Sequence, residues 1–455
     1  MKTYRITPQD VLFFRDARPM TTGEGSGGHG GRWPEPSAIF DALHRALHQT
    51  FPKPQEWEEP PDSRGTGRNG MPLQRFGSLN TAGLFPCRAD EWFFPCPADV
   101  TRADAGEIAG TLGLLKISPG ETNLPDPLTH VAAATTPPSK EQMSAWWSKG
   151  AWDAYLTEKA LPEDSLFQLS EFAATEWHTG IGIDDETGTQ DGKSIYSAEY
   201  LRLRPDVELG FAAGIHAAGI QSASGAEVLE ALRRDAPGIS VGGQQRVSRL
   251  EPLGKELGAL LPFSASISSG RVKWVLLTPA IFPASEHHSE GWLPNWIDPS
   301  SGQVLLKTVR GSLRRSYKWR PDREGNLVRR AVRDAASQPI NARLIAARIP
   351  KPTVLTGYSR REHLAEKVAG PRETLLAVPA GAVFYFEADG TDAEKIANAQ
   401  VLASALAWHG SDTADAATTI RHRRSTLWGE KGYGLGVCGT WKTFAETRNN
   451  ESLPT

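Results

Sequence analysis

The chain has 455 residues, of which 39 % are hydrophobic and 23 % charged, and its net charge is −3. This composition is that of a globular protein and excludes a disordered or uniformly basic chain, while the length predicts two domains. The three cysteines, Cys87, Cys96 and Cys438, lack CxxC and metal-ligand spacing, so we expect a reducing compartment and neither disulfides, a bound metal nor a cofactor.

The N-terminal segment predicts a strand followed by a helix. Residues 4–14 have the pattern of a strand interrupted at Pro8, and apolar residues recur at helical spacing from Ile39 to Leu47. The apolar face of this helix should pack on a sheet. No segment has a signal-peptide pattern or the roughly 18 apolar residues of a membrane span, so we expect a cytoplasmic protein with no membrane partner.

Two arginines, Arg15 and Arg18, lie between this strand and a glycine-rich loop at 22–31. Guanidinium groups match phosphates, and glycines let backbone N–H groups approach them, so the loop is a candidate RNA contact together with His29 and Arg32. It lacks the terminal Gly-Lys-Ser/Thr of a P-loop, which argues against a mononucleotide site there. An equal alternative is that Arg15 or Arg18 pairs with a carboxylate and only holds the loop in place.

The next regular elements are a strand at 207–219, a helix at 226–234 and a strand at 239–253. Together with the N-terminal elements they give the order strand, helix, strands, helix, strand of a ferredoxin-like (βαββαβ) domain. Residues 176–204 stand apart from this core and predict a protruding β-hairpin whose polar tip spans 184–193. A hairpin of this kind cannot bury a core of its own, so we expect it to project toward a partner.

The second half repeats this pattern. Strands are predicted at 272–281 and, broken at Pro379, at 373–387, followed by a helix at 393–408 and a glycine-punctuated strand at 427–441. We therefore predict an α+β protein with two domains. The N-terminal domain is residues 1–255, with insertions at about 51–72 and 100–205. The C-terminal domain is residues 256–455, with a basic insertion at about 307–348, where ten Lys or Arg residues face three acidic ones between Lys307 and Asp334.

Two further glycine-rich segments are candidate RNA contacts. At 241–246 paired glycines precede Gln245 and Arg246, which indicates a bulge or the close approach of another backbone. At 429–436 glycines alternate with Lys431 and Tyr433, downstream of the cationic residues Arg421, Arg423 and Arg424. Glycine, a cation and an aromatic ring combine close approach, charge neutralisation and base stacking, although glycine-rich hairpins are also frequent in purely structural roles.

Catalytic patterns are scarce. His44 and His48 lie four residues apart on the first predicted helix, a spacing that would suit an acid/base pair, but there is no HExxH or GxSxG motif. Most histidines in such positions have packing or surface roles. The alternative function is a metal-independent endoribonuclease that processes repeat RNA with one of these histidines as general acid/base.

Several motifs occur along the chain in an order that is typical of one known family. They are Leu12–Pro19, Trp33–Ser37, Ala42–Leu47, Phe94–Asp99, Gly180–Asp184 with Ile195-Tyr196, Gly242-Gly243 with Arg246, Ala377–Glu387 and Gly432–Gly434. In this combination the chain resembles the third-subunit family of the type III-B CRISPR (Cmr) effector complex, a member of the RAMP superfamily. The resemblance spans nearly the whole chain, although Gln244 stands where the family has Glu.

This resemblance implies two RRM-related ferredoxin-like folds and a subunit without catalytic activity. Its partners would be the crRNA, held by its 5′ handle, the nearby target RNA, the large polymerase/cyclase-like subunit and the backbone subunits of the complex. The hairpin resembles a thumb beside the first guide–target nucleotides, with Ile183, Asp184, Lys193 and Tyr196 as candidate contacts. The candidate RNA-binding residues are Arg15, Arg18, His29, Arg32, Gln245, Arg246, Lys351, Arg424, Lys431 and Tyr433. The basic residues would neutralise phosphates, and Tyr433 or His29 would contact bases.

Overall fold

The structure is a computed structural model of the chain. It describes all residues except 16–26, 31–32, 52–75, 77–78, 103–107, 119, 121, 136–144, 163–164, 185, 216–224, 237, 264, 287, 310–316, 322–326, 332–336, 360–369, 372, 409–424 and 452–455. The described part is a mixed α+β structure with more strand than helix.

Most of the regular structure consists of short strands. They are β1 (Lys2–Pro8), β2 (Gly27–Gly28), β3 (Leu79–Arg88), β4 (Glu91–Pro95), β5 (Val100–Arg102), β6 (Ile108–Thr111), β7 (Gly113–Lys116), β8 (His130–Ala133), β9 (Trp146–Ser148), β10 (Leu166–Phe167), β11 (Ala173–Ile183), β12 (Gln190–Leu203), β13 (Glu208–Ile215), β14 (Gly238–Ser240), β15 (Val247–Pro252), β16 (Arg271–Leu276), β17 (Ala280–Ile281), β18 (Lys307–Val309), β19 (Tyr317–Pro321), β20 (Leu327–Ala331), β21 (Ser337–Pro339), β22 (Ala342–Arg348), β23 (Thr353–Leu355), β24 (Tyr358–Ser359), β25 (Gly370–Pro371), β26 (Leu375–Val378), β27 (Val383–Ala388) and β28 (Gly436–Gly439).

The helices are fewer and pack on the sheets. They are α1 (Ser37–Thr50), α2 (Lys149–Leu156), α3 (Leu169–Phe172), α4 (Gly225–Asp235), α5 (Leu257–Leu260), α6 (Asp392–Leu406) and α7 (Phe444–Glu451), with a 3₁₀ turn at Gly429–Lys431. The apolar residues of α1 are buried at helical spacing and join the strands of the first sheet in one core, as the sequence predicts.

The first half of the chain forms an eight-stranded sheet. Its strand order is β10-β9-β4-β3-β13-β1-β15-β14, and β1 lies between β13 and β15 with antiparallel pairing on both sides. Along the chain, α1 follows β1 and α4 follows β13. The predicted strand at 239–253 is two strands, β14 and β15, joined by a tight turn because left-handed backbone at Gly242, Gln244 and Gln245 reverses the chain.

The second half forms a four-stranded sheet with the order β22-β27-β16-β28. The predicted strand pair broken at Pro379 is confirmed as β26 and β27, but the two strands belong to different sheets. The prediction of one strand over 427–441 is wrong in its first half, because the 3₁₀ turn and positive φ angles at Gly432 and Gly434 interrupt extended backbone. Only β28 is extended there.

The basic insertion is shorter than the predicted span of about 307–348, because it ends before β22. Strand β22 pairs with β27 in the four-stranded sheet, and its Ala342 and Leu344 side chains are buried in the core. The described parts of the stretch before β22 form two strand pairs, β18 with β21 and β19 with β20. The predicted insertion at 51–72 lies outside the described residues except for Phe51.

The largest hydrophobic core joins the two halves. It contains aromatic residues of the first half, such as Phe94 and Trp152, together with Val275 and Tyr385 of the second sheet. Burial of apolar surface across this contact holds the halves in a fixed relation. A separate core lies beneath α6, and another lies beneath α1 and α4.

Candidate nucleic-acid interface

The predicted hairpin is confirmed as β11 and β12. The two strands pair antiparallel from Ala173 with Leu203 to Ile181 with Ile195, and a register shift follows toward the tip. At the tip, Asp184 Oδ1 accepts hydrogen bonds from the backbone N–H groups of Thr187 (2.9 Å) and Glu186 (3.1 Å), which lower the pKa of this carboxyl group. Asp184 therefore holds the turn.

One face of the hairpin carries exposed apolar side chains. The exposures alternate along β11, and the side chains of Trp177, Ile181, Ile183 and Ile195 are between 51 % and 64 % exposed. Trp177, Ile181 and Ile183 share a face by the period of two, and Ile195 lies directly opposite Ile181. Exposed Thr179 separates Trp177 from the isoleucines on this face, so the apolar group at the tip consists of Ile181, Ile183 and Ile195. Exposed apolar side chains grouped in this way indicate an interaction surface.

The N-terminal segment packs along the base of this hairpin. Strand β2 pairs parallel with β12, Leu12 bridges to Leu201, and Arg15 bridges to Gly30. Residue 30 can lie this close to β12 only because it is a glycine, since a Cβ atom there would lie 2.6 Å from the backbone oxygen of Glu199. Arg15 and His29 are thereby brought beside β12.

The turn between β14 and β15 attaches to the same segment. The Gly243 N–H donates a 2.8 Å hydrogen bond to the Phe13 carbonyl. Gly242 has a φ of +76°, and a Cβ atom there would lie 2.5 Å from that carbonyl oxygen. The expected close approach of another backbone is thus observed, whereas the alternative of a bulge is not, because the glycines form the turn itself. Gln245 lies exposed at this turn, and Arg246 follows it.

Arg246 is held by an aromatic ring rather than by a strong ion pair. Its guanidinium carbon lies 4.9 Å from the centroid of the Tyr200 ring, and its nearest carboxylate contact is Asp10, with Nη1 and Oδ2 3.6 Å apart. Its Nε is buried without a hydrogen-bond partner in the described structure. The Tyr200 hydroxyl hydrogen-bonds Gln244 Oε1. This arrangement fixes the guanidinium plane and leaves donors for an incoming anion.

Further charged and aromatic side chains complete the surface. The Arg202 Nη2 group lies 3.0 Å from Asp10 Oδ1. The same guanidinium donates a hydrogen bond to the Glu176 carboxylate, and this second contact lowers the pKa of Glu176. The His29 ring meets Trp177 edge to face with centroids 5.4 Å apart. We call the surface formed by residues 10–15, 27–30, 176–178, 199–202 and 241–246 the hairpin-base surface.

The structure thus brings four predicted RNA-binding residues together, namely Arg15, His29, Gln245 and Arg246. Lys351 is exposed, but it lies in the connection from β22 to β23 in the second half of the chain. Three others, Arg18, Arg32 and Arg424, lie outside the described residues. Of the predicted thumb residues, Ile183 is exposed on the hairpin and Asp184 holds its turn. Lys193 and Tyr196 belong to β12, and their side chains lie outside the described part.

The prediction that Tyr433 contacts a base is contradicted by its position. Its ring is fully buried, its hydroxyl oxygen lies 3.4 Å from that of Ser37, and burial raises its pKa. The 3₁₀ turn directs this ring into the core beside Trp428, where no base can stack on it. The Lys431 side chain is also largely buried, with 14 % of its surface exposed. Its Nζ lies 2.8 Å from Asp41 Oδ1 and 5.1 Å from the centroid of the Phe40 ring. Its charge is already paired.

The two histidines of α1 take part in a ladder of rings. Phe40 stacks on His44, His44 meets His48 with centroids 4.6 Å apart, and His48 meets Phe76 edge to face. Across the described ranges, no group of three or more His, Cys, Asp or Glu side chains is placed to hold a metal ion. The packing role that we expect for such histidines accounts for these contacts.

Sequence reasoning missed several residues of this surface. Trp177, Tyr200 and Arg202 were not singled out, although apolar residues alternating along an arm of a protruding hairpin indicate an uncovered face. Asp10 gave no signal, because its role depends on two arginines that are distant in sequence.

The fold and this surface define a mixed α+β protein that carries a long hairpin with arginines and aromatic rings at its base. The chain belongs to the family described as CRISPR-associated protein (Cas_Cmr3), whose model matches residues 4–441. The resemblance to the third-subunit family of the type III-B Cmr complex is thereby confirmed, and the chain is a component of a CRISPR effector complex. No curated protein matches it.

Solved structures of type III CRISPR complexes contain similar chains. One is from type III-B Cmr-beta bound to cognate target RNA and AMPPnP, with 15 % identity, a TM-score of 0.39, and coverage of 84 % of this chain and 86 % of that one. Another, from Cmr-beta bound to cognate target RNA, has 17 % identity, a TM-score of 0.38 and the same coverage. A chain of the Csm3-Csm4 subcomplex of a type III-A complex has 8 % identity, a TM-score of 0.34, and coverage of 86 % and 94 %. Within the described residues, no helix has the length and apolar character needed to span a membrane.

Proposed function

We propose that this chain is a non-catalytic subunit that binds the 5′ handle of the crRNA in a type III-B effector complex, through the hairpin-base surface. One observation carries this proposal. Four residues predicted as RNA contacts come from three separate segments, and these segments hydrogen-bond or bridge to one another around the base of β11 and β12. Family membership supports the role in the complex.

Arg246 is the strongest candidate for a phosphate contact. Its separation of 3.6 Å from Asp10 is too long for a hydrogen bond, and Asp10 is half exposed and also paired with Arg202. A phosphate could therefore take both guanidinium Nη groups without breaking a strong pair. Arg15 is exposed on the adjacent segment and would add a second phosphate contact.

The apolar face of the hairpin is suited to nucleobases. Rings and branched aliphatic side chains that stand exposed on a strand pair can stack against bases or separate them, whatever the sequence. We propose that this face, with Trp177 and Ile183, lies beside the first nucleotides of the guide and target RNAs. The His29 ring, which packs edge to face with Trp177, would contact the edge of a base.

The remaining assignments follow from the family. The chain would contact the large polymerase/cyclase-like subunit and the first backbone subunit, and would act in the cytoplasm in antiviral defence. We propose two RRM-related ferredoxin-like domains with a boundary near residue 255. Arg18, Arg32, Lys351 and Arg424 stay candidate RNA contacts, while guide pairing reads the target sequence.

The test is binding of a labelled handle RNA to the full chain at several salt concentrations. Arg246→Ala and Arg15→Ala should each weaken binding about tenfold or more, because each removes a charge-assisted hydrogen bond. Each should also reduce the slope of log K against log salt by about 0.7, the value for one phosphate on a single strand.

The matched control is Arg343→Ala, which removes a half-exposed arginine paired with Asp389 on the second sheet. It should leave affinity and slope unchanged. Unchanged affinity and slope in both Arg246→Ala and Arg15→Ala would reject the assignment of this surface.

A further inference from the structure

The basic stretch before β22 contains two strand pairs, one nested inside the other. Strand β18 pairs antiparallel with β21, and β19 and β20, which lie between them in the chain, pair antiparallel with each other. The described strands are thus nested as in a hairpin. Their base is fixed in the core beneath α6, because the Ile340 N–H donates a 3.2 Å hydrogen bond to the Leu306 carbonyl and Ile340 is buried. Nothing in the proposed binding of the crRNA handle uses these strands.

Strands β19 and β20 form a ribbon of two strands, which we call the basic ribbon. Its register places Lys318 opposite Arg330, and Arg320 lies two residues further along β19. Successive residues of a strand belong to opposite faces and directly paired residues to the same face, so these three cations share one face. Arg329 belongs to the other face, opposite Trp319. One face of the ribbon therefore has three cationic positions and the other has one.

The spacing of these positions makes the ribbon unfavourable without an anion. Directly opposite residues have Cβ atoms about 5 Å apart, and residues two apart along a strand are separated by about 7 Å, so the three positions lie within roughly 8 Å of one another. Like charges directly opposite each other destabilise a strand pair, and an isolated two-stranded ribbon is only marginally stable in water. Neither β19 nor β20 contains an acidic residue, and neither pairs with a third strand of the described structure. An anion bound to this face would remove the repulsion.

The acidic residues of the surrounding sequence do not cancel this charge. Over all residues from 317 to 331, including those between the two strands, there are five Lys or Arg and two acidic residues, Asp322 and Glu324. Over the longer span from Lys307 to Asp334 the counts are ten and three. Because the whole chain has a net charge of −3, this excess is local. A local positive excess in an acidic chain favours a polyanionic partner.

Cations and aromatic residues alternate along β19, which begins with Tyr317, Lys318, Trp319 and Arg320. Proteins that bind a single nucleic-acid strand combine cations, which neutralise phosphates, with aromatic residues, on which unpaired bases stack. A duplex offers no unpaired bases, and an acidic protein surface offers no bases at all. A single nucleic-acid strand is therefore the polyanion that matches the composition of the ribbon.

We propose that the basic ribbon binds the phosphates of a single nucleic-acid strand through Lys318, Arg320 and Arg330. Phosphate contacts carry no sequence information, so the ribbon holds the strand without reading it. The same chemistry is presented by RNA and by DNA, and the experiment has an arm for each. The proposal does not rest on the hairpin-base surface, which is formed by the first half of the chain.

Fluorescence anisotropy on the full chain at several salt concentrations tests it with labelled oligouridylate RNA and oligothymidylate DNA of about 20 nucleotides, which contain no repeat sequence. The triple variant Lys318→Ala/Arg320→Ala/Arg330→Ala should weaken binding about tenfold or more at about 0.1 M salt. It should also reduce the slope of log K against log salt by about 2, because three phosphate contacts are lost. A loss for oligouridylate identifies an RNA strand as the partner, and a loss for oligothymidylate alone identifies a DNA strand.

Two controls separate the ribbon from net charge. Lys116→Ala/Lys159→Ala/Lys255→Ala removes the same charge from three exposed positions outside both the ribbon and the hairpin-base surface, and it should leave affinity and slope unchanged. The second control compares neighbours on one strand. Arg330→Ala should reduce the slope by about 0.7, whereas Arg329→Ala, on the other face, should leave it unchanged.

A further variant removes the ribbon and keeps its base. Replacing residues 310–336 by Asn-Gly joins Val309 to Ser337, which already pair, through a two-residue hairpin turn. Leu306 and Ile340 keep their hydrogen bond, so the core beneath α6 should stay intact, which urea unfolding verifies. This variant should lose at least as much affinity for the strand as the triple variant does.

Three results would overturn the proposal. One is unchanged affinity and slope for both oligonucleotides in the triple variant and in the replacement of 310–336. Another is an equal loss in Arg329→Ala and Arg330→Ala, since the charge would then act without regard to face. The third is a triple variant that weakens binding only of a DNA duplex or of polyglutamate, which would identify a duplex or an acidic protein as the partner.

Arg246→Ala distinguishes this site from the proposed function. It should weaken binding of the handle RNA, and in its background the triple variant should still reduce the slope for the single strand by about 2. Failure of the ribbon therefore leaves the hairpin-base surface untouched, and failure of that surface leaves the ribbon untouched.

Discussion

The buried cluster of Asp99, Lys273, Tyr155 and Tyr385 makes a strong prediction about stability. Asp99 comes from the first half of the chain and Lys273 and Tyr385 from the second sheet, so the cluster connects the halves. Asp99→Ala would leave a buried ammonium and two buried hydroxyls without their shared acceptor. Breaking a buried ion pair by removing one partner destabilises proteins by about 3–5 kcal/mol, and we expect Asp99→Ala to fall in this range.

Lys273→Met should be less destabilising than Asp99→Ala, because Asp99 keeps both tyrosine donors. In Lys273→Met/Asp99→Asn no charge is left unpaired, so its loss should be well below the sum of the losses in Lys273→Met and Asp99→Asn. Urea unfolding of the full chain, followed by circular dichroism, measures these differences.

The control for this series is Asp389→Ala. Asp389 pairs with Arg343 at 2.8 Å, but both side chains are more than a third exposed, so its removal should cost about 0–1 kcal/mol. A loss below about 1 kcal/mol in Asp99→Ala, or additive losses in the double variant, would refute the view that the cluster is a coupled buried unit.

Three further predictions concern the hairpin, Glu35 and catalysis. Trp177→Ala should weaken binding of a guide–target RNA duplex about fivefold or more in a filter-binding assay, since stacking on one ring contributes about 1–3 kcal/mol; unchanged affinity would contradict this. Burial of the Glu35 carboxyl raises its pKa from 4.5 to about 7, so the native state binds the extra proton and loses stability as pH rises from about 4.5 to 7. Glu35→Gln should remove most of this loss, up to about 3 kcal/mol in urea unfolding at pH 8, whereas the same pH slope in both proteins would count against it. Repeat RNA incubated with the chain in EDTA should stay intact on a denaturing gel, and a discrete product abolished by His44→Ala or His48→Ala would instead identify a nuclease.

The Glu35 prediction depends on one atom. The residue as a whole keeps some exposed surface, but its Oε2 is buried and has no hydrogen-bond partner in the described structure. Burial of the carboxylate, rather than of the whole side chain, is therefore what favours the protonated form.

The elements that could be predicted from the sequence are those with strong local periodicity. Helices α1, α4 and α6 and the hairpin of β11 and β12 have apolar spacing or alternation that is visible within one segment. The paired glycines at 241–246 also predict either a bulge or the close approach of another backbone, and the structure shows the close approach.

What could not be predicted depends on contacts between distant segments. The burial of the Tyr433 ring depends on packing of its segment against α1 and β3. The neighbouring Gly432 lies so close to β3 that a Cβ atom there would be 3.0 Å from the Thr81 carbonyl oxygen. Local composition cannot show this. The Asp99 cluster was missed for the same reason, since its four members are scattered from residue 99 to residue 385 and the motifs that contain Asp99 and Tyr385 do not show that these side chains meet.

The most direct test of the central claim is protein–RNA crosslinking within the purified effector complex, with a photoreactive base in the crRNA handle. The proposed function predicts crosslinks to residues 10–15, 27–30 and 241–246, and to β11 and β12 from the first nucleotides after the handle. Handle crosslinks confined to other faces, such as α6 or the strands β23 and β26, would contradict it.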